Sequence, residues 1–65
     1  MFALEHHIRK TVFAEFATGI NGEAVKYIGT GRVPTVFPNE TLAHEARNDF
    51  GLDKNFNVVK LVVEE

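Results

Sequence analysis

Apolar and polar residues alternate from the start of this chain. Between Phe2 and Phe16 the even positions read Phe2, Leu4, His6, Ile8, Lys10, Val12, Ala14 and Phe16. The odd positions are mostly polar: Ala3, Glu5, His7, Arg9, Thr11, Phe13 and Glu15. Side chains two apart share one face of a strand, so the pattern predicts a strand whose main portion is Ile8 to Thr18. His6 and Lys10 interrupt it. Residues 1–7 either lengthen the strand or form a short arm.

Gly19-Ile20-Asn21-Gly22 then marks a hairpin. Asn-Gly suits a two-residue type I′ turn, which needs positive φ at both central positions. That turn would set Thr18 opposite Val25, Phe16 opposite Tyr27 and Glu15 opposite Ile28. One face then carries Val12, Ala14, Phe16, Val25 and Tyr27 toward a core. The other carries Thr11, Phe13, Glu15, Ala17, Lys26 and Ile28, with Glu15 and Lys26 as diagonal neighbours of opposite charge. Gly29-Thr30-Gly31 bends or closes the second strand. Val33 to Phe37 could form a short third strand, which Pro34 would confine to a sheet edge.

From Asn39 the period changes. Leu42, Ala43, Ala46 and Phe50 form one helical stripe. Asn39 or Thr41 is the expected N-cap, Glu40 sits in the first turn, and Gly51 stands where a C-terminal glycine cap belongs. Phe56 to Val63 reads as a last strand, apolar on both sides and so expected inside the sheet, beside the first strand. The predicted fold is α+β: an antiparallel sheet of three to four strands with one helix packed on one face. Its strands would be the hairpin, a possible short edge strand and the C-terminal strand. The 65 residues make a single small domain.

Composition narrows the chemistry. The chain has no Cys, Ser, Gln or Trp. Disulfides, thiolate zinc sites and serine or cysteine nucleophiles are therefore excluded. A domain this short buries only about 60% of its unfolded surface, so self-association or a partner would help to stabilise it. The net charge of −2 is unevenly spread: residues 1–35 carry +1 and residues 36–65 carry −3. A nucleic-acid binder usually has a basic surplus, which disfavours nucleic acid as a partner. No stretch is long enough and apolar enough for a membrane span, and the N-terminus lacks the pattern of a signal peptide, so no membrane role and a cytoplasmic location are expected.

Several local motifs have bland explanations. His6 and His7, adjacent on a strand, would point to opposite faces and so could not share a metal ion. Glu40 and His44, four residues apart, suit a helix-stabilising pair better than catalysis. Gly29-Thr30-Gly31-Arg32 lacks the third glycine and following helix of a phosphate loop. Asn39-Glu40-Thr41 fits a glycosylation acceptor but is explained by capping. No catalytic residue, cofactor or metal is expected, and the chain reads as a non-enzymatic protein. Phe13 and Ile28, rimmed by Arg9, Glu15 and Lys26, would lie on the hairpin face away from the core. Either they form a protein-binding surface, or the N-terminal arm or the 33–37 segment covers them. Two alternatives stand beside a protein partner. One is self-association through the long first strand, giving a homodimer. The other is nucleic-acid stacking on Phe13 or Tyr27.

The order hairpin, helix, strand, with Glu40-Thr41-Leu42 opening the helix and Phe56-Asn57-Val58-Val59 leading the last strand, resembles small phage-encoded host-takeover proteins. Inhibitors of bacterial RNA polymerase are among them. The resemblance covers residues 10–63 at the level of layout, and no functional residue carries over. It implies a mode of action: a compact protein that occupies a surface of a larger host machine.

Overall fold

The computed structural model describes residues 1–61. It holds β1 (Phe2–His6), β2 (Phe13–Thr18), β3 (Ala24–Gly31), α1 (Glu40–Asp49) and β4 (Phe56–Lys60). The strands form one antiparallel sheet in the order β3-β2-β1-β4, with α1 against one face. This is the expected α+β architecture, and the last strand does lie beside the first, pairing Phe2 with Lys60 through His6 with Phe56. The expected continuation of that strand over Val62 and Val63 lies outside the described residues.

The long first strand is two strands. The chain turns between His6 and Val12, and β1 pairs with β2 at Glu5 and Phe13. Arg9 accepts a hydrogen bond from the Val12 N–H at 3.3 Å, closing a four-residue turn. Thr11, third in that turn, has φ +65°, the position where a type II turn usually holds Gly or Asn. Side chains hold this costly backbone. The Glu5 carboxylate accepts the Thr11 N–H at 3.3 Å and lies 3.8 Å from the Lys10 ammonium. His6 Nδ1 accepts the N–H groups of Ile8 (3.2 Å) and Arg9 (3.1 Å). The interruptions at His6 and Lys10 were thus the mark of a turn without glycine.

The second hairpin is present, but its loop differs from the expected type I′ turn. Gly22 donates to Gly19 O at 3.1 Å, and Gly19 donates to Glu23 O at 2.8 Å. Only Gly22 has positive φ (+82°) among the loop residues. This is a three-residue loop, a turn followed by a left-handed glycine. Space reinforces the choice, because a Cβ on Gly22 would sit 2.8 Å from the Pro38 ring. The extra loop residue should have shifted the register, and Thr18 does pair with Ala24 rather than Val25. A bulge at Val25 then restores Phe16 opposite Tyr27, as expected. A second bulge at Ile28 sets Glu15 opposite Gly29, not Ile28. Val25 is consequently 58% exposed instead of core, and Ala24 packs on the core in its place.

The 33–37 segment is not an edge strand. It inserts where β1 and β2 diverge. Phe37 exchanges backbone hydrogen bonds with Phe2 at 2.7 and 2.9 Å. The Thr35 hydroxyl accepts the Phe16 N–H at 2.8 Å and donates to Phe16 O at 3.4 Å. One side chain thereby satisfies the backbone groups that a neighbouring strand would have paired. Phe37, fully buried, joins Leu4, Ala14, Phe16 and Phe56 of the sheet and Ala43, Ala46 and Leu52 in the core.

The helix matches its sequence signals. The Asn39 side chain accepts the Leu42 N–H at 2.9 Å. At the other end, Leu52 donates to Arg47 O (2.8 Å) and Gly51, at φ +68°, donates to Asn48 O (3.2 Å). These two bonds define a Schellman cap, and buried Leu52 supplies its apolar contact. Glu40 and His44 lie 3.3 Å apart across one helical turn.

One further expectation is corrected. β4 is an edge strand, not an interior one, because β1 has β2 and the 35–37 segment on its other side. The long first strand expected to offer a self-association edge is instead β1 and β2, both inside the sheet.

Candidate functional site

Two surfaces concentrate the residues that could carry function, one on each side of the sheet. The helix covers the face bearing Phe2, Leu4, Ala14, Phe16, Tyr27, Phe56 and Val58. The opposite face follows by alternation: Ala3 and Glu5 on β1, Phe13, Glu15 and Ala17 on β2, Asn57 and Val59 on β4. No element among the described residues is layered over it. Ala3 is fully buried there, and Phe13 and Val59 are half-buried.

This far face gathers most of the residues singled out in the sequence. Phe13 lies between Glu5 and Gly31 in the cross-strand rows. Lys26 pairs with Ala17 and shares that face. Ile28, the inserted residue of the second bulge, is 64% exposed. Neither the N-terminal arm nor the 33–37 segment covers it, since β1 is a sheet strand and 35–37 inserts between β1 and β2. Lys26, opposite Ala17, is diagonal to Glu15 as expected, but the two form no ion pair among the described residues. The bulge turns Glu15 toward Gly31, where its carboxylate fills the space a Cβ would occupy. Arg9 is separated from the others and stands in the β1–β2 turn on the helix side.

There Arg9 contributes to an open cleft of about 560 Å³. Three stretches far apart in sequence build it: the β1–β2 turn, β3 at Tyr27 and Thr30, and the loop from Leu52 into β4. Only the unforeseen break of the first strand brings these stretches together. The sequence signal for it was the polar run from His6 to Thr11.

The adjacent histidines behave differently from the expectation of opposite faces. The strand ends at His6, and the two rings stack with centroids 5.0 Å apart and planes 15° apart. Their Nδ1 atoms are committed to backbone: His6 Nδ1 accepts two N–H groups, and His7 Nδ1–H donates to Asn55 O at 2.9 Å. The His6 ring also meets Phe56 edge-on at 5.4 Å. Among the described residues no three His, Asp or Glu side chains converge as metal ligands. No described helix is long and apolar enough to cross a membrane.

A scan against protein-family models finds no matching family, and searches of curated proteins and of solved structures find no match.

Proposed function

We propose that this chain is a non-enzymatic protein-binding domain that acts by laying the far face of its sheet against a partner. One observation carries the reading. Among the described residues a helix covers one face only of the four-stranded sheet, and the other face presents Phe13 and Val59 among Glu5, Glu15 and Lys26, with exposed Ile28 at the neighbouring bulge. An apolar centre within a charged rim is the composition of a protein–protein contact. The resemblance to phage-encoded host-takeover proteins supplies the kind of partner, a large machine of a host cell, and the outcome, inhibition or modulation by occupancy. The test compares immobilised wild type with a Phe13→Ser/Ile28→Ser double variant as baits for lysate proteins. The wild type should retain a partner that the variant loses, while circular dichroism stays native. Equal retention by a folded double variant would refute the reading.

Self-association is the second reading, now placed on β4. Its free edge is regular, whereas the β3 edge carries two bulges that obstruct strand addition.

A further inference from the structure

We infer that the helix-side cleft is a second binding site, selective for a carboxylate carried on a compact apolar body. Its 560 Å³ falls within the roughly 300–1,000 Å³ typical of small-ligand clefts. Its polar lining, Arg9, His6, Tyr27, Thr30 and Asn55, includes a full positive charge and several hydrogen-bond donors. The Arg9 guanidinium forms no ion pair among the described residues. The Tyr27 and Thr30 hydroxyls likewise have no protein partner there. No carboxylate lines the cleft. Two acids adjoin these segments in sequence: Glu5, which belongs to the other face and is held by Thr11 and Lys10, and exposed Asp53, which follows Leu52 but does not line the cleft.

His6 adds a donor of fixed identity. Because its Nδ1 accepts two backbone N–H groups, the neutral ring carries its proton on Nε2. That N–H has no acceptor among the described residues. Stacking on His7 and the edge contact with Phe56 hold the ring in place. An arginine fork and an imidazole N–H lining the same cleft are complementary to a carboxylate. The remaining lining, Ile8, Val12, Leu52 and Phe56, is apolar. An inorganic anion would leave these walls unused, and a neutral amide would leave the Arg9 charge unmatched.

The site lies on the opposite side of the sheet from the proposed protein contact and does not depend on it. Phenylacetate is a suitable probe, with acetate and phenylacetamide as controls lacking the apolar body and the charge. In amide chemical-shift titrations, phenylacetate should move the Ile8, Arg9, Thr30 and Asn55 signals saturably in the millimolar range. Both controls should bind about tenfold more weakly, and Arg9→Gln should weaken phenylacetate by a similar factor. The Arg9 residue is exposed and its side chain makes no hydrogen bond among the described residues, so this variant keeps the fold. The Phe13→Ser/Ile28→Ser variant, where folded, should bind phenylacetate like wild type. Absence of shifts with phenylacetate, equal shifts with phenylacetamide, or unchanged affinity in Arg9→Gln would each overturn the proposal.

Discussion

Thr11 is the residue at which the chain departs most from its intrinsic preferences. A β-branched side chain at φ +65° is strained by about 1–2 kcal/mol relative to an ordinary backbone conformation. The Glu5 carboxylate and the His6 ring hold the turn against that strain. Thr11→Gly removes the clash at the cost of more freedom in the unfolded chain, so a net gain of about 0.5–1 kcal/mol is expected. Urea unfolding monitored by circular dichroism measures it. Lys10→Gly, at a position without positive φ, should bring no gain, and an equal response of the two variants would show that strain at Thr11 is not the cause. The same residue explains why the first strand read as continuous. Turn prediction rests on Gly, Pro, Asn and Asp, and none of them occurs between His6 and Val12. The tertiary contacts of Glu5 and His6, invisible to periodicity, make the turn instead.

Within the elements, structure set by local side chains is legible in the sequence and structure set by long-range contacts is not. The helix ends at Asn39 and Gly51 depend on their own side chains and φ angles, and both stand where the sequence put them. The hairpin was legible, and Phe16 opposite Tyr27 was correct for a mixed reason: a longer loop and a bulge at Val25 cancel. The fate of 33–37 was not legible, because it depends on how far β1 and β2 diverge. Thr35 is the test of that arrangement. Its hydroxyl serves both backbone groups of buried Phe16 on the side facing away from β3. Thr35→Val keeps the shape and leaves those groups unsatisfied, which should destabilise by about 1–3 kcal/mol. Exchange of the Phe16 amide hydrogen should accelerate as well. Thr35→Ser, retaining the hydroxyl, should stay within about 1 kcal/mol of wild type. A Val variant as stable as wild type would mean that the wedge is held by Phe37 alone.

For the whole molecule, the two sheet edges differ in a way that bears on assembly. Residues of β4 with odd numbers turn their backbone toward β1, as the bonds from Leu61 N–H to Met1 O (2.8 Å) and from His7 N–H to Asn55 O (2.9 Å) show. Phe56, Val58 and Lys60 therefore turn theirs outward. Those of Phe56 are occupied, its N–H by Leu52 O at 3.0 Å and its carbonyl by the Arg47 guanidinium at 3.5 Å. Among the described residues Val58 and Lys60 remain open, on a strand without proline or bulge. The β3 edge has two bulges and leads into a proline-containing segment. An apolar sequence on both sides of β4 suits an interior strand, and a second copy paired across Val58 would make it one without setting like charges opposite each other. Sedimentation of the wild type should then show a mass rising with concentration toward twice that of a single chain. Lys60→Pro removes one outward N–H from an exposed edge position and leaves the bonds to β1 intact, so it should hold the chain as a monomer with native circular dichroism. A wild type that stays monomeric at the highest accessible concentration, or a Lys60→Pro variant that still dimerises, would exclude β4 as the joining edge. The far face would then be left as the surface available to a protein partner.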